Sequence, residues 1–202
     1  MHGRLAKVAD ELPAARMCVA TVQTDLGWIA LAGSGTTIAQ ISFARGSRKA
    51  ALSALDRHVR EGARICDWNA PLAARLVDFA AGAADDFRDV ELDLRGLTPF
   101  QQRIVEACRA IGYGQTRSYG QVAAAAGNSR AARAVGNTMA ANRFALVVPC
   151  HRVVHAGGDT GRLSGAALQR KQLRRLEQYG PSSNGIRRQR PARRGKSALT
   201  GA

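Results

Sequence analysis

Ser118-Tyr119-Gly120-Gln121-Val122-Ala123-Ala124-Ala125-Ala126-Gly127-Asn128-Ser129-Arg130-Ala131-Ala132-Arg133-Ala134-Val135-Gly136-Asn137-Thr138-Met139-Ala140 is the stretch on which the fold turns. Serine at its head suits a helix N-cap, because its side-chain oxygen can accept an N–H that the first turn leaves unpaired. From it one helix runs through Ala126, Gly127-Asn128 forms a tight turn, and a second helix covers Arg130 to Ala140. Two short helices joined by a glycine-containing turn make a helix-turn-helix candidate. The small residues Ala123 to Ala126, Ala131, Ala132 and Ala134 allow close approach of the pair. A DNA-binding hairpin and one that merely packs both need that, so the pattern alone leaves the two open.

Upstream, Gly96 to Pro99 marks a boundary. Thr98 is placed to cap and Pro99 to occupy the first helical position, while Phe100, Ile104, Val105, Cys108 and Ile111 fall on one helical stripe that ends at Gly112 and Gly114. Before the boundary the periodicity changes. Met17 to Val22, Trp28 to Ala32 and Thr36 to Phe43 read as three strands of a β-meander, separated by Thr24 to Gly27 and by Gly33-Ser34-Gly35. Ser47 to Glu61 and Pro71 to Ala81 have helical spacing, and the alternation at Val90, Leu92 and Leu94 predicts a short half-buried strand. Three segments follow: an α/β unit over 1–95, a helical unit over 96–180, and a tail over 181–202. That tail has too little apolar side chain to offset ordering entropy and is expected to be disordered.

Charge is distributed unevenly over these segments. Residues 1–95 carry 12 basic and 12 acidic side chains, 96–180 carry 12 basic and 3 acidic, and the tail carries 6 basic and no acidic ones. Positive charge concentrated on a folded half points to a polyanionic partner, since a generally arginine-rich composition would not leave the first half neutral. No apolar run approaches the length of a membrane span. Asp10 and Glu11 interrupt the region where an export signal would need apolar residues. The four cysteines, Cys18, Cys66, Cys108 and Cys150, are scattered without a CxxC pair, so the reading is a cytoplasmic protein with mostly reduced thiols and no disulfide framework.

The chemistry-bearing segment is Phe144-Ala145-Leu146-Val147-Val148-Pro149-Cys150-His151-Arg152-Val153-Val154. An apolar strand is expected to run into proline, after which Cys and His stand side by side. A cysteine attacks as thiolate and is mostly protonated at neutral pH, so a reactive one needs a nearby base, and that base an orienting carboxylate. Neighbours on a regular strand point to opposite faces. Cooperation between Cys150 and His151 therefore requires a turn or a bridging water, for which Pro149 provides a departure. A buried, inert thiol is the competing reading of these residues alone.

Pro149-Cys150-His151-Arg152-Val153-Val154 resembles the active-site motif of the O6-alkylguanine-DNA alkyltransferases, or methylated-DNA–protein-cysteine methyltransferases. The likeness extends through Phe100-Gln101-Gln102, Gly114 to Tyr119, Ala125 to Gly136 and Met139 to Asn142, and onward to Glu177. The resemblance implies an α+β fold: a β-meander with flanking helices (ribonuclease H-like), then a helical, winged-helix-like DNA-binding unit. It implies that Cys150 takes an alkyl group from O6 of guanine or O4 of thymine in double-stranded DNA and keeps it, in a single turnover without cofactor or metal. His151 is then the base acting through a water, Glu177 its orienting carboxylate, and Asn142 the tie between helix-turn-helix and active-site segment. Ser118, Tyr119, Arg130 and Arg133 become DNA contacts, with Tyr119 crowding the phosphate 3′ to the lesion and Arg133 filling the gap left by the extruded base. Tyr119, Val153, Leu163 and Ser164 border the alkylguanine pocket. Leu163 stands where the family usually has Tyr. Cys18, Cys66 and His58 are too scattered to assert the zinc site that some members carry. A monomer acting on DNA away from any membrane is expected. The alternatives are a non-catalytic sensor of alkylated DNA, from which the cysteine after Pro149 distinguishes it, and a cysteine hydrolase, which lacks an oxyanion-hole glycine motif.

Overall fold

A computed structural model describes residues 17–157 and 165–180 of the chain. The expected disordered tail over 181–202, the first sixteen residues, and Leu163 and Ser164 lie outside the described residues. The architecture is mixed α+β. Its first half holds strands β1 (Cys18–Thr24), β2 (Gly27–Ser34) and β3 (Thr37–Arg45), helices α1 (Arg48–Ser53) and α2 (Arg57–Glu61), a two-residue strand β4 (Arg64–Ile65) and helix α3 (Ala70–Ala80). The sheet order is β3-β2-β1-β4, antiparallel along the meander, with β4 added parallel to β1. Alternation along β2 explains why both faces are covered: Ile29 and Leu31 join the main core, whereas Ala30 and Ala32 meet Ala51, Leu55 and Val59 from α1, α2 and the link between them. Gly33 has no room for a side chain, because the Trp68 ring lies against it.

Four expectations need correction here. Ser47 does cap a helix, its side chain accepting from the Ala50 N–H, yet the run to Glu61 breaks in two. The break is fixed from the sheet, where Gln40 Oε1 accepts the Asp56 N–H at 2.9 Å. Residues 90–94 form a single bridge, Ile38 to Leu92, rather than a strand. The Glu91 carbonyl accepts the Ile38 N–H at that bridge, while guanidinium groups claim others nearby: Arg109 donates to the Val90 carbonyl, and Arg143 to those of Asp93 and the adjacent Arg95. Residues 144–148 are likewise no strand but a tight turn, closed by the Val148 N–H to the Phe144 carbonyl at 2.8 Å, with Leu146 at a positive φ of 72°. Cys18 and Cys66, 48 residues apart in sequence, are joined as a disulfide because the parallel β1–β4 pairing brings their backbones within 6.1 Å (Cα–Cα). Sequence spacing carries no trace of that pairing.

The second half contains α4 (Pro99–Arg109), β5 (Arg117–Ser118), α5 (Tyr119–Ala125), α6 (Ala132–Ala140), β6 (Val153–Val154) and α7 (Gly165–Tyr179). Both anticipated caps form full capping boxes, Thr98 with Gln101 and Ser118 with Gln121, each pair exchanging side-chain and backbone hydrogen bonds. Gly127, at φ 90°, makes the turn after α5. The second helix starts two residues later than the expected Arg130, since Asn128 Oδ1 accepts the Arg130 N–H and holds a turn there. One hydrophobic cluster runs from Ile29, Ile38 and Leu76 in the first half to Ile104, Val135, Met139, Val148 and Leu176 in the second. Among the described residues no helix is long and apolar enough to cross a membrane.

Candidate active site

Cys150, His151 and Arg152 form one turn of 3-10 helix directly after Pro149. Its hydrogen bonds run from the Cys150 N–H to the Val148 carbonyl (2.8 Å) and from the Arg152 N–H to the Pro149 carbonyl (2.9 Å). The turn replaces the strand geometry that would have separated neighbouring side chains. Cys150 is left half-buried against the main core, while His151 is only 1% exposed.

Two further elements fix this turn. Asn142, just past α6, donates from Nδ2 to the Val148 carbonyl (2.9 Å) and accepts the Phe144 N–H on Oδ1 (3.0 Å). One side chain therefore staples both ends of the tight turn that delivers Pro149. After Arg152, β6 pairs in parallel with β5, Arg117 to Val153 and Ser118 to Val154. This two-residue ladder ties the active-site segment to the N-terminus of α5.

Helix α7 supplies the carboxylate. Ala167, Leu173 and Leu176 turn inward and carry Glu177 into the interior. Glu177 Oε1 lies 2.7 Å from His151 Nε2, both side chains being 1% exposed, and Oε2 accepts the Gly114 N–H at 3.1 Å. Burial drives the His151 imidazole below its ordinary pKa, against the pull of Glu177, and the charges of Arg152 and Arg174 add to the lowering. Burial pushes the Glu177 carboxyl up, but hydrogen bonds and charge from His151 and Arg152 outweigh it and hold the group below the usual range. The ground state is thus a neutral imidazole against a carboxylate. Nε2 carries the proton and donates it, which leaves Nδ1 as the basic nitrogen. The other free thiol, Cys108, is fully buried; burial and the neighbouring Cys150 push its pKa up, the opposite of what a nucleophile needs.

The remaining expected site residues are distributed as follows. Tyr119 opens α5, packs partly against the core, and meets the His155 ring, just beyond β6, at 5.0 Å between centroids and a tilt of 53°. Ser118 commits its Oγ to capping α5. Arg130 and Arg133 stand exposed around the start of α6. Val153 is 1% exposed and belongs to the core, so its side chain does not line an open pocket and any pocket role falls to its backbone. Among the described residues no group of three His, Cys, Asp or Glu side chains could hold a metal ion. The residue that sequence reading passed over is Arg152, the bulkiest of the fully buried side chains, which meets both Glu177 oxygens. Its signal was present: an arginine between His151 and two valines sits in an otherwise buried run, where a charge must find a partner.

Residues 99–179 match the family model of the DNA-binding domain of 6-O-methylguanine DNA methyltransferase. Over 159 residues the chain is 36% identical to the methylated-DNA–protein-cysteine methyltransferase of Mycobacterium tuberculosis, covering 78% of this chain and 90% of the relative. The chain belongs to the methylated-DNA–protein-cysteine methyltransferase family. The crystal structure of the M. tuberculosis O6-methylguanine methyltransferase superposes with a TM-score of 0.69 at 33% identity, over 82% of this chain and 94% of that one. The M. tuberculosis OGT protein in complex with DNA gives 0.66 at 34% identity, over 80% and 92%. Family membership thus extends across both halves of the chain.

Proposed function

We propose that the protein repairs alkylated DNA by moving the alkyl group onto Cys150, once per molecule. The observation that carries this reading is the buried His151–Glu177 pair one residue from a half-buried thiol. His151, through a water, takes the Cys150 proton. The thiolate attacks the alkyl carbon in line, a sulfur–carbon bond forms as the carbon–O6 bond breaks, and the electron pair leaves on the guanine, whose anion takes up the proton that His151 held. Glu177 offsets the imidazolium in between, the logic of other activated-nucleophile triads. The thioether offers water no easy leaving group, so the site is spent after one transfer.

Substrates on this reading are O6-alkylguanine and O4-alkylthymine in duplex DNA. Tyr119 at the start of α5, with Ser118 setting that start, faces the phosphate 3′ to the lesion; Arg130 and Arg133 approach the duplex from α6, and Arg133 fills the vacated stack. The pocket is bordered by Tyr119, the Val153 backbone, Leu163 and Ser164. Net positive charge over 96–180 supplies phosphate affinity. We further propose a monomer acting in the cytoplasm, with a ribonuclease H-like unit over 1–95 and a winged-helix-like unit over 96–180, the basic residues over 181–202 adding loose phosphate attraction.

Intact mass after incubation with an oligonucleotide carrying O6-methylguanine tests the reading. The expected result is a gain of one methylene, mapped to the Cys150 peptide. Cys150→Ser should gain nothing yet still bind the damaged oligonucleotide. An unmodified wild type that binds the lesion would favour the sensor reading, and a methyl group on any other residue would overturn the assignment.

A further inference from the structure

Every N–H of the buried Arg152 guanidinium faces an acceptor. Nε meets Glu177 Oε1 and Oε2 at 3.1 and 3.3 Å, and Nη2 meets Glu177 Oε1 at 3.0 Å and the Asp85 carbonyl at 3.4 Å. Nη1 donates to the Ile111 carbonyl at 2.6 Å and to Asp86 Oδ1 at 2.7 Å. Asp86 belongs to the first half of the chain, in the segment after α3, and its side chain is 32% exposed. That segment is anchored: Arg75 of α3 holds Asp85 through two bonds of 2.7 and 2.8 Å and Asp89 through two of the same lengths, and Asp85 Oδ1 accepts the Phe87 N–H at 2.7 Å. A rigid piece of the first half therefore presents one carboxylate to the far side of the guanidinium that grips Glu177.

Counting charge shows what that carboxylate contributes. Arg152 and Glu177 alone cancel, so a proton arriving on His151 leaves a buried cation balanced only by the Cys150 thiolate across the bridging water. Asp86 adds one negative charge to the groups bonded to the Arg152 guanidinium, against the cations Arg88 and Arg174 at the edge of the cluster. At short range in a poorly solvated site, a single charge is enough to shift such an equilibrium.

We infer that Asp86 is a positioning residue for alkyl transfer: acting through Arg152, it leaves Glu177 free to balance the imidazolium that forms when Cys150 gives up its proton. The inference rests on the roles proposed above for Cys150, His151 and Glu177. The other charged or titratable groups facing the cluster are Arg174 on α7, which donates to the His151 carbonyl at 3.1 Å, Tyr113 beneath the Arg152 guanidinium at 5.7 Å, and Arg88, 3.9 Å from Asp86.

The test compares wild type, Asp86→Asn and Asp86→Glu in single-turnover transfer from a saturating O6-methylguanine oligonucleotide between pH 6 and 9. Asn keeps the shape and the acceptor while removing the charge. Asp86→Asn is expected to be slower by about fivefold at pH 7, with the deficit closing as pH rises, and Asp86→Glu to regain the wild-type profile. The pH at which Cys150 becomes half-reactive toward iodoacetamide, read on the Cys150 peptide without DNA, should move upward in Asp86→Asn alone. A purely structural role would lower the melting temperature and leave both pH profiles in place; that result, or a wild-type profile in folded Asp86→Asn, overturns the inference. Failure of the wild type itself to take the methyl group on Cys150 would sink the underlying reading instead, so the two failures are distinguishable.

Discussion

An imidazole with one nitrogen locked onto a buried carboxylate is a base with a fixed direction. Glu177→Gln keeps the shape of that lock and removes its charge, so transfer should slow on the order of 10- to 100-fold in a single-turnover assay. Sequence reasoning about Glu177 as an orienting carboxylate implies normal folding for this variant; the structure implies otherwise. Glu177 also neutralises Arg152, and removing one partner of a buried pair costs about 3–5 kcal/mol, which a denaturation curve of the variant will show. The pKa shifts give a second expectation, with the sign set by linkage. His151 is held below its ordinary value, so as pH falls below about 6.5 the unfolded chain takes up a proton that the folded site resists, and stability declines. Glu177 acts in the same sense at lower pH: its contribution is present above the unfolded carboxyl pKa and is lost as pH falls through the folded one. Melting temperatures from pH 7 to 5 should therefore fall for the wild type and fall less steeply for His151→Gln; parallel slopes would remove His151 from the account.

At the scale of elements, the tight turn over 144–148 depends on Asn142. Asn142→Ala leaves the Phe144 N–H unpaired, at about 1–3 kcal/mol, and the Val148 carbonyl with the Cys150 N–H alone, and should both lower the denaturant midpoint and slow transfer by letting Pro149-Cys150 drift. Helix α6 carries a separate expectation. Arg133→Ala should slow repair in duplex DNA far more than transfer from free O6-alkylguanine, because a free base needs neither extrusion nor stack filling; proportional losses on both substrates would point to a distorted active site. Legibility varied with the range of the forces involved. The capping boxes at Thr98 and Ser118, the meander and the Gly127 turn were readable because local side chains impose them. The break at Asp56 and the missing strand at 90–94 were not, because Gln40, Arg109 and Arg143 take those backbone groups from a distance; the turn at 144–148 was hidden because its apolar run reads as a strand, although Asn142 beside it supplies the staple. Strands β4, β5 and β6, two residues each, carry no periodicity at all. Cys150, His151 and Glu177 were found through a motif and its family; Arg152 left a signal in its apolar surroundings, whereas Asp86 emerges only from the packing.

For the whole molecule, the main hydrophobic cluster crosses the boundary between the halves, and Arg109, Arg143 and Arg152 from the second half bond backbone carbonyls of residues 85–95. Both tryptophans, Trp28 and Trp68, lie in the first half, whereas the longest helix, α7, lies in the second. Unfolding followed by tryptophan fluorescence and by helical circular dichroism should therefore superimpose in one transition. Separated midpoints would show that 1–95 and 96–180 melt as independent units. The same interlocking bears on protein engineering, through the ladder between Arg117-Ser118 and Val153-Val154. Strand pairing makes the start of α5 and the turn bearing Cys150 a single mechanical part, although 34 residues of chain lie between Ser118 and Val153. A helix-turn-helix grafted from a relative will seat correctly only if residues 150–155 travel with it, because its first helix α5 starts from this ladder, so new lesion preferences in this scaffold have to be selected in both segments at once.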